Sequence, residues 1–264
     1  MRKTVVLYKP VGMTPLSLLH SFRKSSPEYA DAIMGYAGRL DPMADGLVLY
    51  LVGDENKQRE KYLKLDKEYD VEILLGCSTD SYDILGKLTA QKQYVVAEIK
   101  PHLQTIVESF VGQIEQAFPP FSSKPLNGKP LYYWARKGLL NMDDLPKETR
   151  QIHGIKLVKC ISVKKDVLRE CIQGKLGTVE GDFNQEAYLQ QWLDFFRNAT
   201  GAAQKEYLVL HVHVHCSSGT YMRSLAHDIG NMLNVGGCAL SITRTKIGAY
   251  TKANQSILPM PIQQ

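Results

Sequence analysis

With 264 residues, 44% of them hydrophobic and 22% charged, the chain is long enough for one substantial core and too apolar for wholesale disorder. Its net charge of +5 is compatible with a nucleic-acid partner without requiring one. The first apolar run, Val5 to Tyr8, stops at Lys9-Pro10, and no stretch approaches the roughly 18 apolar residues of a membrane span, so a cytoplasmic protein with no membrane partner is expected.

Thr4–Tyr8 reads as a strand and Thr14–Lys24 as a helix. The segment from Gly35 to Gly46 then gathers three glycines around Arg39, Asp41 and Asp45. Asp41 precedes Pro42, which holds it extended or turn-like, and the apolar strand Leu47–Val52 comes directly after. A carboxylate fixed on a loop and braced by a core strand suits catalysis. Asp-Pro and Asp-Gly are equally ordinary turn chemistry, so the local pattern leaves both readings open.

Further strands are predicted at Tyr69–Leu75, Gly112–Phe118, Ile155–Cys171 and Tyr207–Cys216. Helical spacing appears at Val95–Ser109, Leu131–Lys137 and Thr220–Leu233, the last closed by Gly236-Gly237. The stretch 172–206 contains Gly174, Gly177 and Gly181, then a predicted helix Gln185–Asn198 carrying Trp192, Phe195 and Phe196; it reads as an elaborated hairpin connection. With Pro259 and Pro261, residues 251–264 read as an extended tail, which leaves 1–250 as one domain. The pattern is that of an α+β fold: a mixed, largely antiparallel central sheet flanked by helices.

The five cysteines (77, 160, 171, 216 and 238) form no Cys-x-x-Cys pair, so reduced thiols are expected and no metal site is indicated. His211, His213 and His215 share one strand face, since side chains alternate with period two. A metal site and a polar face turned to RNA both fit that spacing. No acidic partner is evident in the sequence, and the polar face is the reading taken.

Six segments resemble one family. Gly38-Arg39-Leu40-Asp41-Pro42-Met43-Ala44-Asp45-Gly46 is similar to the Gly-x-Leu-Asp-Pro-x-Ala-x-Gly signature of the TruB family of pseudouridine synthases. Lys9-Pro10-Val11-Gly12-Met13-Thr14 resembles that family's opening motif, and Lys67-Glu68-Tyr69 followed by Thr79-Asp80-Ser81-Tyr82-Asp83 and Gly86 resembles its tyrosine strand and turn. The block from Pro119 to Gly138, Cys216 to Ala226 with Gly219-Thr220-Tyr221-Met222-Arg223, and Leu240 to Arg244 complete the likeness, in the same order.

The resemblance implies a pseudouridine synthase isomerising uridine in RNA, at position 55 of the tRNA T-loop. That reaction is redox-neutral and calls for no cofactor or metal. It assigns Asp41 as nucleophile or proton-abstracting base, Arg223 as its partner, and Tyr69 as the ring that stacks on the flipped base. Asp83 and Ile242 are implied as pocket residues. Lys9, Tyr36, Arg39 and Arg244 are implied around the substrate, with Lys124, Lys129, Arg136 and Lys137 as further RNA-contacting cations.

The sequence departs from the family pattern in several places. Tyr36 stands where the family usually has His, and Arg39 where it mostly carries a small residue. The block before Gly128 is about one residue short, and little chain after Tyr250 remains for the RNA-binding PUA domain of many members. A monomer acting on tRNA through its catalytic domain is expected. The alternatives are another RNA site, a non-catalytic RNA-binding or RNA-folding role, and a hydrolase pairing Asp41 with Asp45.

Overall fold

The computed structural model describes residues 3–198 and 206–252. Nine strands form one sheet: β1 (Thr4–Lys9), β2 (Met34–Ala37), β3 (Ala44–Val52), β4 (Lys67–Leu75), β5 (Gly112–Ala117), β6 (Lys147–Lys164), β7 (Glu206–Cys216), β8 (Gly237–Ile247) and β9 (Tyr250–Thr251). Their order is β1-β3-β8-β4-β7-β6-β5, with β2 also on β3 and β9 on β8. Among the described residues the β8–β3 pairing is the one parallel strand pairing of this sheet, so the sheet is mixed and largely antiparallel, as expected.

Four longer helices cover it: α1 (Pro15–Ser25), α2 (Lys165–Gly177), α3 (Gln185–Asn198) and α4 (Met222–Met232). Helix α1 starts on a capping box in which Thr14 and Ser17 satisfy each other's backbone amides. The main core packs α1 and α4, through Leu18, Phe22, Leu225 and Ile229, against Tyr50, Val71, Ile73, Val212 and Val214 of the sheet. A second core packs α2 and α3 on the other side, around Trp192, Phe196, Ile172, Leu74 and Val209. Strand β3 contributes Val48 and Tyr50 to the main core and Leu47, Leu49 and Leu51 to a third cluster. Burial on both faces is why its sequence is an unbroken apolar run rather than an alternation.

Three sequence expectations need correction. The run Ile155–Cys171 is not one strand: β6 begins at Lys147 and ends at Lys164, and α2 takes over at Lys165. Leu168, Ile172 and Leu176 recur at helical spacing and are buried, so the hydrophobic period switches from two to about 3.6 inside the run. The helix expected over Val95–Ser109 is broken into Val96–Ile99, a tighter turn Lys100–His102 and Leu103–Glu108, because Pro101 removes an amide donor. Strands β2 and β8 went unread, although β8 lies at the centre of the sheet. The tail expectation, including Pro259 and Pro261, lies outside the described residues from 253 onward, while Tyr250–Thr251 pairs with β8.

Strands β6 and β7 pair antiparallel, and the described residues between them reach the loops of the candidate site. The Trp192 indole donates to the carbonyl of Ile84 at 2.9 Å, beside Asp83. The Glu180 amide donates to the carbonyl of Gly12 at 3.0 Å. Gly12 has φ +93°, and a Cβ there would lie 2.0 Å from the Thr178 carbonyl oxygen, so only glycine permits this approach.

Candidate active site

Asp41 lies between β2 and β3, Tyr69 on β4, Asp83 on the turn after Cys77–Thr79, and Arg223 in the first turn of α4. The fold brings these four together across separations of up to 182 residues. Arg223 is the hub. Its Nε donates to Asp41 Oδ2 at 2.8 Å, one terminal nitrogen to the Ser81 carbonyl at 2.9 Å and the other to the Phe121 carbonyl at 3.2 Å. The Arg223 side chain is 4% exposed and that of Asp41 40%, so a buried cation holds a carboxylate that solvent and ligand still reach. Burial works against the Arg223 charge, but the pull of Asp41 and then Asp83 outweighs it, and the guanidinium stays protonated.

Asp83 sits behind the pair, with Oδ2 3.7 Å from Arg223 Nε, accepting from Ser81 and from the Leu85 amide. Burial raises its pKa to about 6, against the opposing pull of Arg223. A folded-state pKa above the ordinary 3.8 means the folded protein binds the proton more tightly, so stability falls as pH rises between those values. Asp83→Asn, which keeps the size and most hydrogen bonds, should therefore gain on the natural protein as pH rises from about 4 to about 6, by up to about 3 kcal/mol, and hold that gain above. Denaturant melts of both proteins across this range check it; a pH-independent difference would remove Asp83 ionisation from the account.

Tyr69 is buried beside the carboxylate, paired in register with Arg244, and burial keeps its phenol protonated. Ile242, on β8 opposite Val71 and Ala44, belongs to the same apolar wall. The Tyr36 ring, half-buried, stands edge-on to Tyr50 at 6.3 Å. Arg39 is exposed.

Lys9 and Arg244, expected among the substrate-contacting cations, have a different place. Lys9 is fully buried, and its ammonium donates to the carbonyls of Pro10, Met13 and, at 3.4 Å, Pro42. Burial lowers its pKa to about 8. Arg244 is 2% exposed and donates to the carbonyls of Leu47, Arg39 and Gly38. Both side chains clamp the Asp41 loop from inside, since a buried cation has to be met by acceptors and the loop's carbonyls are those acceptors. Gly46 completes the clamp: with φ +111°, it lets β3 approach β8 so closely that a Cβ would lie 2.3 Å from the Arg244 carbonyl oxygen.

Among the other cations, Lys124 pairs with Glu148, while Lys129, Arg136 and Lys137 are exposed next to Tyr132 and Tyr133. Asp45 accepts from Tyr8 and, at 2.6 Å, from Thr243, which ties it into the sheet rather than pairing it with Asp41. The acids missing from the sequence reading of the histidines lie on β4: His211 faces Glu72 at 3.4 Å and His213 faces Asp70 at 2.7 Å. Gln116 was also missed. Its side-chain amide accepts from the Tyr221 amide and donates to the Tyr221 carbonyl, fixing the backbone two residues before Arg223. With 105 residues between the partners, no local signal marks it.

Residues 29–176 match the family model described as TruB family pseudouridylate synthase, N-terminal domain. A protein named tRNA pseudouridine synthase B from Chlamydia abortus is 30% identical over 251 residues, covering 94% of this chain and 83% of the relative. One of the same name from Protochlamydia amoebophila is 31% identical over 254 residues, covering 95% and 76%. Among solved structures, a Cbf5-Nop10-Gar1 complex superimposes with a TM-score of 0.53 at 18% identity, over 94% of this chain and 50% of the solved one. An H/ACA RNP bound to a substrate RNA containing 2'-deoxyuridine gives 0.52 at 18%, over 94% and 48%. The chain spans about half the length of those solved chains, and at these identities the likeness is one of fold.

Proposed function

This chain belongs to the TruB family of pseudouridylate synthases, and on that premise we propose that it isomerises a uridine of tRNA, position 55 in the T-loop, with Asp41 as its catalytic group. The observation that carries the reading is the charge pair itself: a solvent-reachable carboxylate held at 2.8 Å by an arginine that is 4% exposed. Isomerisation breaks the glycosidic bond of the uridine, turns the base and rejoins it through carbon. Asp41 serves either as nucleophile on the ribose or as the base that removes a ribose proton, and the Arg223 pair keeps it ionised for both.

The target uridine has to leave its stack, at a cost of a few kcal/mol, before the carboxylate reaches its sugar. Tyr69 and Ile242 supply the face and wall that offset this cost, and Arg39 and Tyr36 border the entrance. Exposed Lys129, Arg136 and Lys137 meet phosphates. We place the activity in the cytoplasm and in a monomer, which sedimentation with and without tRNA reads directly.

The test is conversion by purified protein of a tRNA transcript and of the same transcript with uridine 55 replaced by cytidine. Pseudouridine at position 55 of the first only is the expected result. Isomerisation elsewhere in both transcripts would move the target, and no isomerisation in any cellular RNA would sink the catalytic reading in favour of a binding or folding role.

A further inference from the structure

We propose that Asp66, His153 and His215 form a binding site for a divalent transition metal such as Zn²⁺, on the sheet face opposite Tyr69. One donor atom from each of the three lies within 4.8 Å of the other two, the one such group of three among the described residues. They come from three elements: Asp66 from the turn entering β4, His153 from β6, and His215 from β7. A register shift in β6 between Ile152 and Gly154 is what turns His153 toward its neighbour strand.

The three strand histidines have unlike surroundings. His211 and His213 each face a carboxylate on β4. The acid in register with His215 is Glu68, and Glu68 is already bound to Lys246 at 2.7 Å. His215 instead lies against His153, with ring centroids 4.7 Å apart and planes inclined by 46°. The far side of His153 meets Asp66, Nε2 to Oδ2 at 3.3 Å. Two imidazoles side by side repel when both are protonated, and a shared cation makes them joint donors.

The distances suit this use. Donors on one tetrahedral Zn²⁺ stand about 3.3 Å apart for metal–nitrogen bonds near 2.05 Å. Small rotations close the observed spread, because the His153 and Asp66 side chains are 34% and 48% exposed. Two nitrogens and one carboxylate oxygen leave a coordination position open, and an open cleft of about 320 Å³ adjoins the site, lined by Lys64, Asp66, Glu68, His215, Lys246 and Gly248. The cleft's lysines do not all oppose a cation. Lys246 is neutralised by Glu68, and the Lys67 ammonium is turned to the carbonyls of Leu63 and Leu65. A bound ion ties the turn ahead of β4 to β6 and β7, three residues upstream of Tyr69.

Titration of untagged protein at pH 7.5 with Zn²⁺ by calorimetry, and with Co²⁺ by visible absorption, tests the site. One saturable site is expected. His153→Ala and His215→Ala should each weaken it by about tenfold or more, with His213→Ala unchanged. In case a variant misfolds, Co²⁺ added to the natural protein should shift the ring protons of His153 and His215 before those of His211 and His213. Absence of saturable binding, binding indifferent to His153→Ala and His215→Ala, or shifts centred on His213 would each overturn the proposal. None of these readouts depends on isomerase activity, so the outcome stands apart from the test of the proposed function.

Discussion

Asp41→Asn should lower isomerisation by on the order of 10⁴-fold or more while leaving tRNA binding close to that of the natural protein. The substitution keeps the shape and one acceptor oxygen but removes the charge, and an amide neither attacks the ribose nor takes its proton. The hydrogen bonds of Asp41 are few: its carboxylate meets Arg223, and its main-chain carbonyl accepts from Ala44 in the turn into β3. The clamps that position its loop come from Lys9, Arg244 and Gly46, which the substitution leaves alone. Single-turnover conversion and filter binding, measured on the same preparation, separate the two effects. Residual turnover within tenfold of the natural protein would transfer the chemistry to another residue.

The second large effect belongs to Arg223. Its guanidinium meets Asp41, Ser81 and Phe121 with three different nitrogens, a geometry that a lysine ammonium on a flexible stem does not reproduce. Arg223→Lys should reduce the rate of the bound complex by about 10²- to 10³-fold, with a smaller change in the affinity for tRNA. Arg223→Met goes further, because it leaves Asp83, with a side chain 7% exposed, without its counter-charge. Removing one member of such a buried pair costs about 3–5 kcal/mol, and the cost should be largest at pH 7.5. At pH 5, below the Asp83 pKa of about 6, the carboxyl takes a proton and the uncompensated charge disappears, so part of the stability should return. Melts of Arg223→Met at the two pH values, beside those of the natural protein, read this directly. A loss equal at both would mean that packing, not charge, is what Arg223 contributes.

These two expectations separate residues that touch the reacting nucleotide from those that hold them. In the proposed function Asp41 and Tyr69 are the residues turned to substrate, whereas Lys9, Arg244 and Gln116 act on backbone and would register in stability before they register in chemistry. Helices α2 and α3 belong with the second group. Trp192 of α3 supports the Asp83 turn, and Glu180, between the two helices, supports the Gly12 loop.

By itself the sequence determined most of the elements that carry the candidate site. The strand carrying Tyr69, the helix carrying Arg223, the turn at Asp41-Pro42 and the apolar run of β3 were legible from periodicity and turn chemistry within a dozen residues, whereas the roles of Asp41, Tyr69 and Arg223 came only from the family resemblance. Tertiary structure alone decided which cations are buried against the backbone of the fold. Lys9 and Arg244 look like surface charges in sequence, yet Lys9 is sealed against the carbonyls of Pro10, Met13 and Pro42, and Arg244 against carbonyls 197 to 206 positions away. It also decided that Ile155–Cys171 divides into strand and helix, that β8 runs through the middle of the sheet, and that His215 packs against His153. Burial and cross-strand register are properties of the closed sheet, and side-chain charge acquires its role only from the neighbours that closure supplies.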